Sequence, residues 1–94
     1  MADVTFKWDC PQSLMTVTIQ SRETPGNIAG LNCQGSGTKK LDLSEDIYDL
    51  GYRAVGTPNT NFALEVTKGG TMNPIDRPLA EDGKAAGVRK LTVP

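Results

Sequence analysis

Short runs of alternating apolar and polar residues constrain the fold of this chain more than any other feature. The first run places four apolar residues on one side: Val4, Phe6, Trp8 and Cys10. A later run places Leu31 and Cys33 together in the same way. Because successive side chains of a β-strand point to opposite faces, each run predicts a strand with one buried face.

The whole pattern predicts an all-β protein that forms a single domain over residues 1–94. We expect about seven strands, at residues 4–10, 14–20, 28–34, 38–43, 52–56, 61–67 and 88–93. Strands and turns at this spacing favour one antiparallel β-sandwich or open barrel. The expected core residues are Phe6, Trp8, Val17, Ile19, Leu41, Phe62, Leu64 and Val66.

Glycine and proline mark the connections between these strands. Thr24-Pro25-Gly26-Asn27 predicts a type II turn, since Pro sets φ and Gly accepts a positive φ. Gly35-Ser36-Gly37 predicts a flexible connection. Thr57-Pro58-Asn59-Thr60 predicts a hairpin that joins residues 52–56 to residues 61–67.

One stretch departs from the β pattern and predicts a short helical turn over residues 44–50. Ser44 is able to cap the first free amides, and Glu45 suits the positive end of a helix dipole. Gly51 suits the left-handed conformation that ends a helix. We expect this turn to cross between two sheets, with Tyr48 or Tyr52 pinned by a hydrogen bond from its hydroxyl to the backbone.

Cys10 and Cys33 both fall on the buried faces of predicted strands. This shared orientation predicts a disulfide, which would close a loop of about 24 residues and add about 3 kcal/mol of stability. The alternative is two buried free thiols, since free cysteine is among the most buried residue types. A disulfide predicts an extracellular, periplasmic or virion-borne protein, whereas reduced cysteines predict a cytoplasmic one.

The chain offers little catalytic or ligand-binding chemistry. It has no histidine, so a nucleophile activated by histidine is impossible, and its cysteine spacing does not fit the usual zinc patterns. We therefore expect no enzyme, no catalytic residue, no metal and no cofactor. The net charge of −1 gives no reason to expect nucleic acid as a partner. No run approaches about 18 apolar residues, so we expect no membrane insertion.

Residues 68–84 form a long, turn-rich segment without regular periodicity, and loops of this length are often functional. Together with the polar turn at residues 56–61, the segment predicts a binding surface formed by Asn59, Asn61, Met72, Asn73, Asp76 and Arg77. Arg77 and Met72 are the expected anchors, because arginine and methionine are enriched in protein interfaces. The alternative is two short edge strands near residues 71–75 and 77–80.

These features predict a non-enzymatic binding or adhesion-type module that engages a protein or glycan partner through its loops. Two alternatives stay open. One is a structural subunit of a virion or extracellular appendage, which forms homo-oligomers by pairing strand edges with other copies. The other is a small secreted inhibitor or effector that inserts residues 69–78 into a target.

Overall fold

Six strands make up most of the protein, and none of the described residues is helical. The computed structural model describes residues 2–23 and 27–94. The strands are β1 (Ala2–Ser21), β2 (Asn27–Leu43), β3 (Asp46–Gly56), β4 (Asn61–Lys68), β5 (Ile75–Pro78) and β6 (Lys84–Val93). They form one curled antiparallel sheet with the shape of a half-barrel, which confirms the predicted all-β class. The predicted turn at residues 24–27 falls on residues 24–26, outside the described part.

The structure has fewer strands than predicted because neighbouring runs merge into longer strands. Residues 4–10 and 14–20 both belong to β1, and residues 28–34 and 38–43 both belong to β2. Pro11, Gln12 and Ser13 form a bulge between Cys10 and Leu14, so β1 bends without ending. The segment 35–37, expected to be a flexible connection, is part of β2.

The edge of β1 that faces away from β2 is shared by two strands. β4 pairs with Thr5–Asp9 and β3 pairs with Ser13–Ser21, both in antiparallel register. β3 and β4 therefore follow one another along β1 and do not pair, so the predicted hairpin between them is wrong. The turn at residues 57–60 carries the chain past the bulge of β1. There the Thr57 N–H donates a hydrogen bond to the Gln12 carbonyl at 2.9 Å.

The inward faces of the strands form one hydrophobic core. Five of the predicted core residues are almost completely buried: Phe6, Val17, Ile19, Phe62 and Leu64. The other three, Trp8, Leu41 and Val66, are half-buried and pack against that core. The core predicted from alternation is therefore confirmed in phase, with its less buried members on β1, β2 and β4.

The predicted helical turn at residues 44–50 is wrong, because this stretch leads into β3. Alternation over the full strand decides its conformation, with four buried side chains on one face: Tyr48, Leu50, Tyr52 and Ala54. The capping signals act differently from the prediction. The Tyr48 hydroxyl donates a hydrogen bond to the Ser44 carbonyl at 2.7 Å. That bond is the expected bond from a tyrosine hydroxyl to the backbone, but the expected crossing between two sheets is wrong, because the stretch joins two strands of one sheet.

Candidate functional site

The predicted disulfide is not formed, since Cys10 and Cys33 are both free cysteines with buried side chains. In the β1–β2 ladder, Cys10 lies opposite Gly35, and Cys33 lies opposite Met15. The two cysteines are therefore diagonal neighbours, and the bulge of β1 separates their ladder positions. Diagonal positions in an antiparallel pair lie about 7–8 Å apart, whereas the Cα atoms of a disulfide lie about 4.4–6.8 Å apart.

The environment of the two thiols makes them poor nucleophiles. Burial raises the pKa of the Cys33 thiol to about 12, and the neighbouring Cys10 adds to the shift. Burial also raises the pKa of the Cys10 thiol, although the nearby Ser13 hydroxyl lowers it in part. The Ser13 hydroxyl is itself buried and has no partner that satisfies hydrogen-bond geometry. Because the thiolate is the reactive form, these cysteines are structural rather than catalytic.

Three of the predicted binding residues lie at the end of the sheet where β4 begins and β5 ends. Asn59, Asn61 and Asp76 are all exposed. The Asn61 side-chain amide donates a hydrogen bond to the Asp76 carboxylate. Asn59 takes a positive φ of 63°, and its N–H donates to the Leu79 carbonyl at 3.2 Å. This surface is polar and is held in place by backbone hydrogen bonds.

The other three predicted binding residues are not brought together with that surface. Met72 is only 9% exposed and packs in the core, so its side chain is not displayed to a partner. Asn73 is exposed and lies before β5. Arg77 uses one of its donors inside the protein, because its Nη1 donates a hydrogen bond to the Tyr52 hydroxyl at 3.2 Å. Met72 is therefore packed within the chain, whereas Arg77 is exposed and is tied to the fold by one hydrogen bond.

A shallow groove of about 660 Å³ crosses the outer face of β1, β3 and β6. Its lining residues are mostly small or short: Thr16, Thr18, Gly51, Tyr52, Arg53, Ala86, Gly87 and Val88. No carboxylate lines the groove, and Arg53 is its one group with a full formal charge. The groove therefore offers shape but no chemistry that would select a ligand.

The open edge of β2 is the longest strand edge whose backbone groups lack a neighbouring strand within the described residues. β2 runs for 17 residues and pairs with β1 on one side. In residues 2–23 and 27–94, no strand pairs with its other side. Alternate backbone N–H and C=O groups along this edge are therefore available to another strand.

The other edges of the sheet are short or are bonded at their ends to other segments of the chain. β5 has four residues and ends in Pro78, which has no N–H to donate. β6 is crossed by the connection between β4 and β5, where Thr71 and Thr92 exchange two backbone hydrogen bonds of 2.9 Å. At the other end of β6, the Ala80 N–H donates to the Lys84 carbonyl at 3.1 Å. The edge of β2 is longer, and within the described residues no other segment bonds to it.

Trp8 packs against the middle of β2. Its indole N–H donates to the Gln34 carbonyl at 3.3 Å, next to the bend in β1. Its ring lies against Gly37, where an added Cβ would come within 2.7 Å of the ring. The indole therefore packs against residues 34–37 in the middle of β2, and residues 38–43 continue the strand beyond it.

This stretch carries opposite charges on its outer face. Lys40 and Asp42 are both exposed, and they lie opposite Thr5 and Asp3 of β1. Asp42 thus faces a like charge within its own sheet, which is unfavourable. Neither Lys40 nor Asp42 forms an ion pair within the described part of the chain. On the inner face, Leu41 is half-buried against the core.

This surface could not be identified from the sequence. The alternation of Lys40 and Asp42 with Leu41 and Leu43 correctly indicates a strand with one polar face. The pattern alone does not say which strands are neighbours, so it does not show that β2 is at an edge. A strand of 17 residues that ends the sheet follows only from the complete ladder.

Neither the described residues nor comparison with known proteins gives a further indication of function. Within the described residues, no group of cysteine and acidic side chains is arranged to hold a metal ion. None of the described segments is a helix that is long and apolar enough to cross a membrane. No protein-family model, curated protein or solved structure matches the chain.

Proposed function

We propose that this protein is a non-enzymatic structural subunit that joins other copies of itself through the open edge of β2. The observation that carries the proposal is a 17-residue strand that, within residues 2–23 and 27–94, pairs with a single neighbour. An unpaired edge of this length is a template for another strand, and natural proteins usually shorten, twist or cover such edges. Among the described residues, β5 is short and β6 is bonded to other segments at both ends, while β2 is left open along its length.

The positions of the expected loop anchors favour this role over binding through loops. Met72 lies in the core, and Arg77 donates to the Tyr52 hydroxyl. A partner that docked on Met72 would have to displace core contacts, whereas one that docked on the exposed Arg77 would compete for a single hydrogen bond. The polar surface of Asn59, Asn61 and Asp76 still supports a second candidate, a module that binds a protein or glycan partner through this end of the sheet.

The state of the cysteines bears on the compartment in which such a subunit would assemble. The free thiols favour the cytoplasmic alternative over an extracellular or periplasmic one, since disulfides are rare in reducing compartments. A virion component made and assembled in a reducing cytoplasm is compatible with both thiols. Total thiol content, measured on protein purified without reductant, tests this placement.

The proposed assembly is tested by sedimentation velocity over micromolar to millimolar concentrations. We expect the wild-type protein to associate reversibly. Leu41→Lys places a charge on the inner face at the open edge, a device that blocks edge pairing in natural proteins, and should give a monomer. Leu41→Met keeps the volume and the apolar contact, and should associate like the wild type.

The control for added charge is Val88→Lys on β6, where the side chain is 62% exposed. This variant should associate like the wild type. A wild-type protein that stays monomeric throughout the concentration range would contradict the proposal. So would equal association of Leu41→Lys and Val88→Lys in variants whose thermal unfolding shows that both are folded.

A further inference from the structure

The charges on the outer face of β2 select one way in which two copies of its edge pair. Resting on the proposed function, we infer that residues 39–43 pair antiparallel with the same residues of a second copy, centred on Leu41. In this register Lys40 of each subunit faces Asp42 of the other. The two subunits then share one continuous sheet that runs from β5 of one copy to β5 of the other.

The parity of side chains supports this register. Lys40 and Asp42 lie opposite Thr5 and Asp3 on the outer face of the sheet, whereas Leu41 lies opposite the buried Val4. Pairing centred on a residue keeps outer face beside outer face and inner face beside inner face. A shift by one residue would place the buried face of one copy beside the solvent-exposed face of the other.

Registers shifted by two residues keep the faces but lose the charge match. A centre at Lys40 places two ammonium groups opposite each other, and a centre at Asp42 places two carboxylates opposite each other. Like charges directly across a sheet are destabilising, and opposite charges are stabilising. The centre at Leu41 is the position within this stretch at which both charged residues face their opposites.

An unfavourable contact within the subunit points to the same partner. Asp42 lies directly across the ladder from Asp3, and neither carboxylate forms an ion pair within the described residues. A lysine on the free side of Asp42 would offset this repulsion. In the inferred dimer that lysine is Lys40 of the second copy, and the same compensation occurs twice because the pairing is symmetric.

Lys39 is the residue on this stretch that opposes pairing, and its geometry is compatible with the dimer. It lies opposite the buried Phe6 on the inner face of the sheet, but its own side chain is exposed. In the inferred register it faces Leu43 of the second copy. Leu43 is buried in the core of its own subunit, so the flexible Lys39 side chain can turn its ammonium group to water.

Charge reversal with rescue by mixing tests the register. Lys40→Glu places a carboxylate opposite Asp42 of the second copy, and Asp42→Lys places an ammonium group opposite Lys40 of the second copy. We expect each single variant to raise the dimer dissociation constant by about tenfold or more, since two like pairs replace two opposite pairs. In a heterodimer of the two variants, one subunit carries a carboxylate at both positions and the other carries an ammonium group at both positions.

 In the inferred register, position 40 of each subunit faces position 42 of the other, so each carboxylate of one variant faces an ammonium group of the other. An equimolar mixture therefore restores two opposite pairs, and should form a heterodimer as tightly as the wild type forms a dimer.

The double variant Lys40→Glu/Asp42→Lys should also recover wild-type association, because it exchanges the two charges. Lys84→Glu on β6 is the charge-matched control and should leave the dissociation constant unchanged. Recovery on mixing cannot come from misfolded chains, so it separates loss of the interface from loss of the fold. Single variants that associate like the wild type, or a mixture that does not recover, would overturn the inferred register.

The failure of this inference differs from the failure of the proposed function. If Leu41→Lys dissociates the protein while both charge reversals have no effect, copies pair along β2 in another register. If the wild-type protein is monomeric at every concentration, both proposals fail. Each result of the two experiments therefore supports or contradicts a stated claim.

Discussion

At the scale of single residues, the buried thiols connect the packing of the bulge to a measurable reactivity. Cys10 is 1% exposed and Cys33 is fully buried, and burial raises the pKa of both. Neither thiol should react with a disulfide reagent at neutral pH in the folded protein. Unfolding in denaturant without reductant should expose two reactive thiols for each chain. Fewer than two would mean that the cysteines are oxidised.

The raised pKa of Cys33 also sets the sign of a pH effect on stability. The folded state disfavours the thiolate, so this group leaves stability unchanged below the ordinary thiol pKa of 9.0. Stability should fall as the pH rises from 9.0 towards about 12, since the unfolded chain ionises first. Denaturant unfolding at several pH values measures this slope. Cys33→Ala should flatten it relative to the wild type.

Arg77 shows how one hydrogen bond changes the interpretation of a residue. Its donation to the Tyr52 hydroxyl makes it a structural residue that links β5 to β3. Arg77→Ala should lower the free energy of unfolding by about 1 kcal/mol, and Tyr52→Phe should do the same. In the double variant the losses should not add, because both changes remove the same bond. Additive losses in this cycle would show that the two side chains act independently.

At the scale of elements, two aromatic rings lie over glycines of a neighbouring strand. Trp8 covers Gly37 of β2, and Tyr52 covers Gly87 of β6, in each case directly across the ladder. An added Cβ at Gly37 would lie 2.7 Å from the Trp8 ring, and one at Gly87 would lie 2.6 Å from the Tyr52 hydroxyl. The absence of a side chain at these glycines lets the rings lie flat and hold β2 and β6 to the sheet.

Gly37→Ala tests this contact. The new methyl group must displace the Trp8 ring, which should cost about 1–3 kcal/mol and shift the tryptophan fluorescence. Gly51→Ala is the matched control, since a Cβ there meets Thr18 Oγ1 at an ordinary 3.4 Å. The cost of Gly37→Ala should shrink in a Trp8→Leu background. An unchanged cost in that background would place the strain in the backbone of β2.

The elements also show which parts of the fold are encoded locally. Alternation correctly predicts the faces of the strands, as the burial of Phe6, Val17 and Leu64 confirms. It fails at strand ends, because Pro11 looks like a terminator but sits in a bulge where no ladder hydrogen bond is needed. The capping signals at Ser44 failed for a related reason. A two-turn helix is weak alone, and burial of Tyr48 and Leu50 along a strand outweighs it.

Strand order is not encoded locally, and the candidate site depends on strand order. Nothing in residues 52–67 distinguishes a hairpin from two strands that follow one another along β1. The difference arises from the bulge at residues 11–13, which divides the edge of β1 between β3 and β4. The open edge of β2 is a consequence of the same arrangement, since both β3 and β4 occupy the far side of β1. The polar loop residues could be predicted from composition, but the edge could not.

At the scale of the whole molecule, the position of each strand in the sheet predicts its resistance to local opening. β1 has neighbours on both sides, β2 has one, and β5 is a short strand that pairs with β4 alone. Amides that are buried and paired on both sides open only with the whole fold, whereas amides at an edge exchange by local motion. The sheet should therefore have a graded stability that decreases from β1 outwards.

Amide hydrogen exchange on the Leu41→Lys variant in dilute solution measures this gradient without assembly. The slowest amides should lie in β1 near Val17 and Ile19, which are fully buried. β5 should exchange fastest among the strands. Along residues 29–43 of β2, protected amides that bond to β1 should alternate with unprotected amides that face solvent. Raising the concentration of the wild-type protein should slow the second set within residues 39–43. Uniform protection along β2 in the monomer would mean that another part of the chain covers this edge, and the edge would then be closed to a second copy.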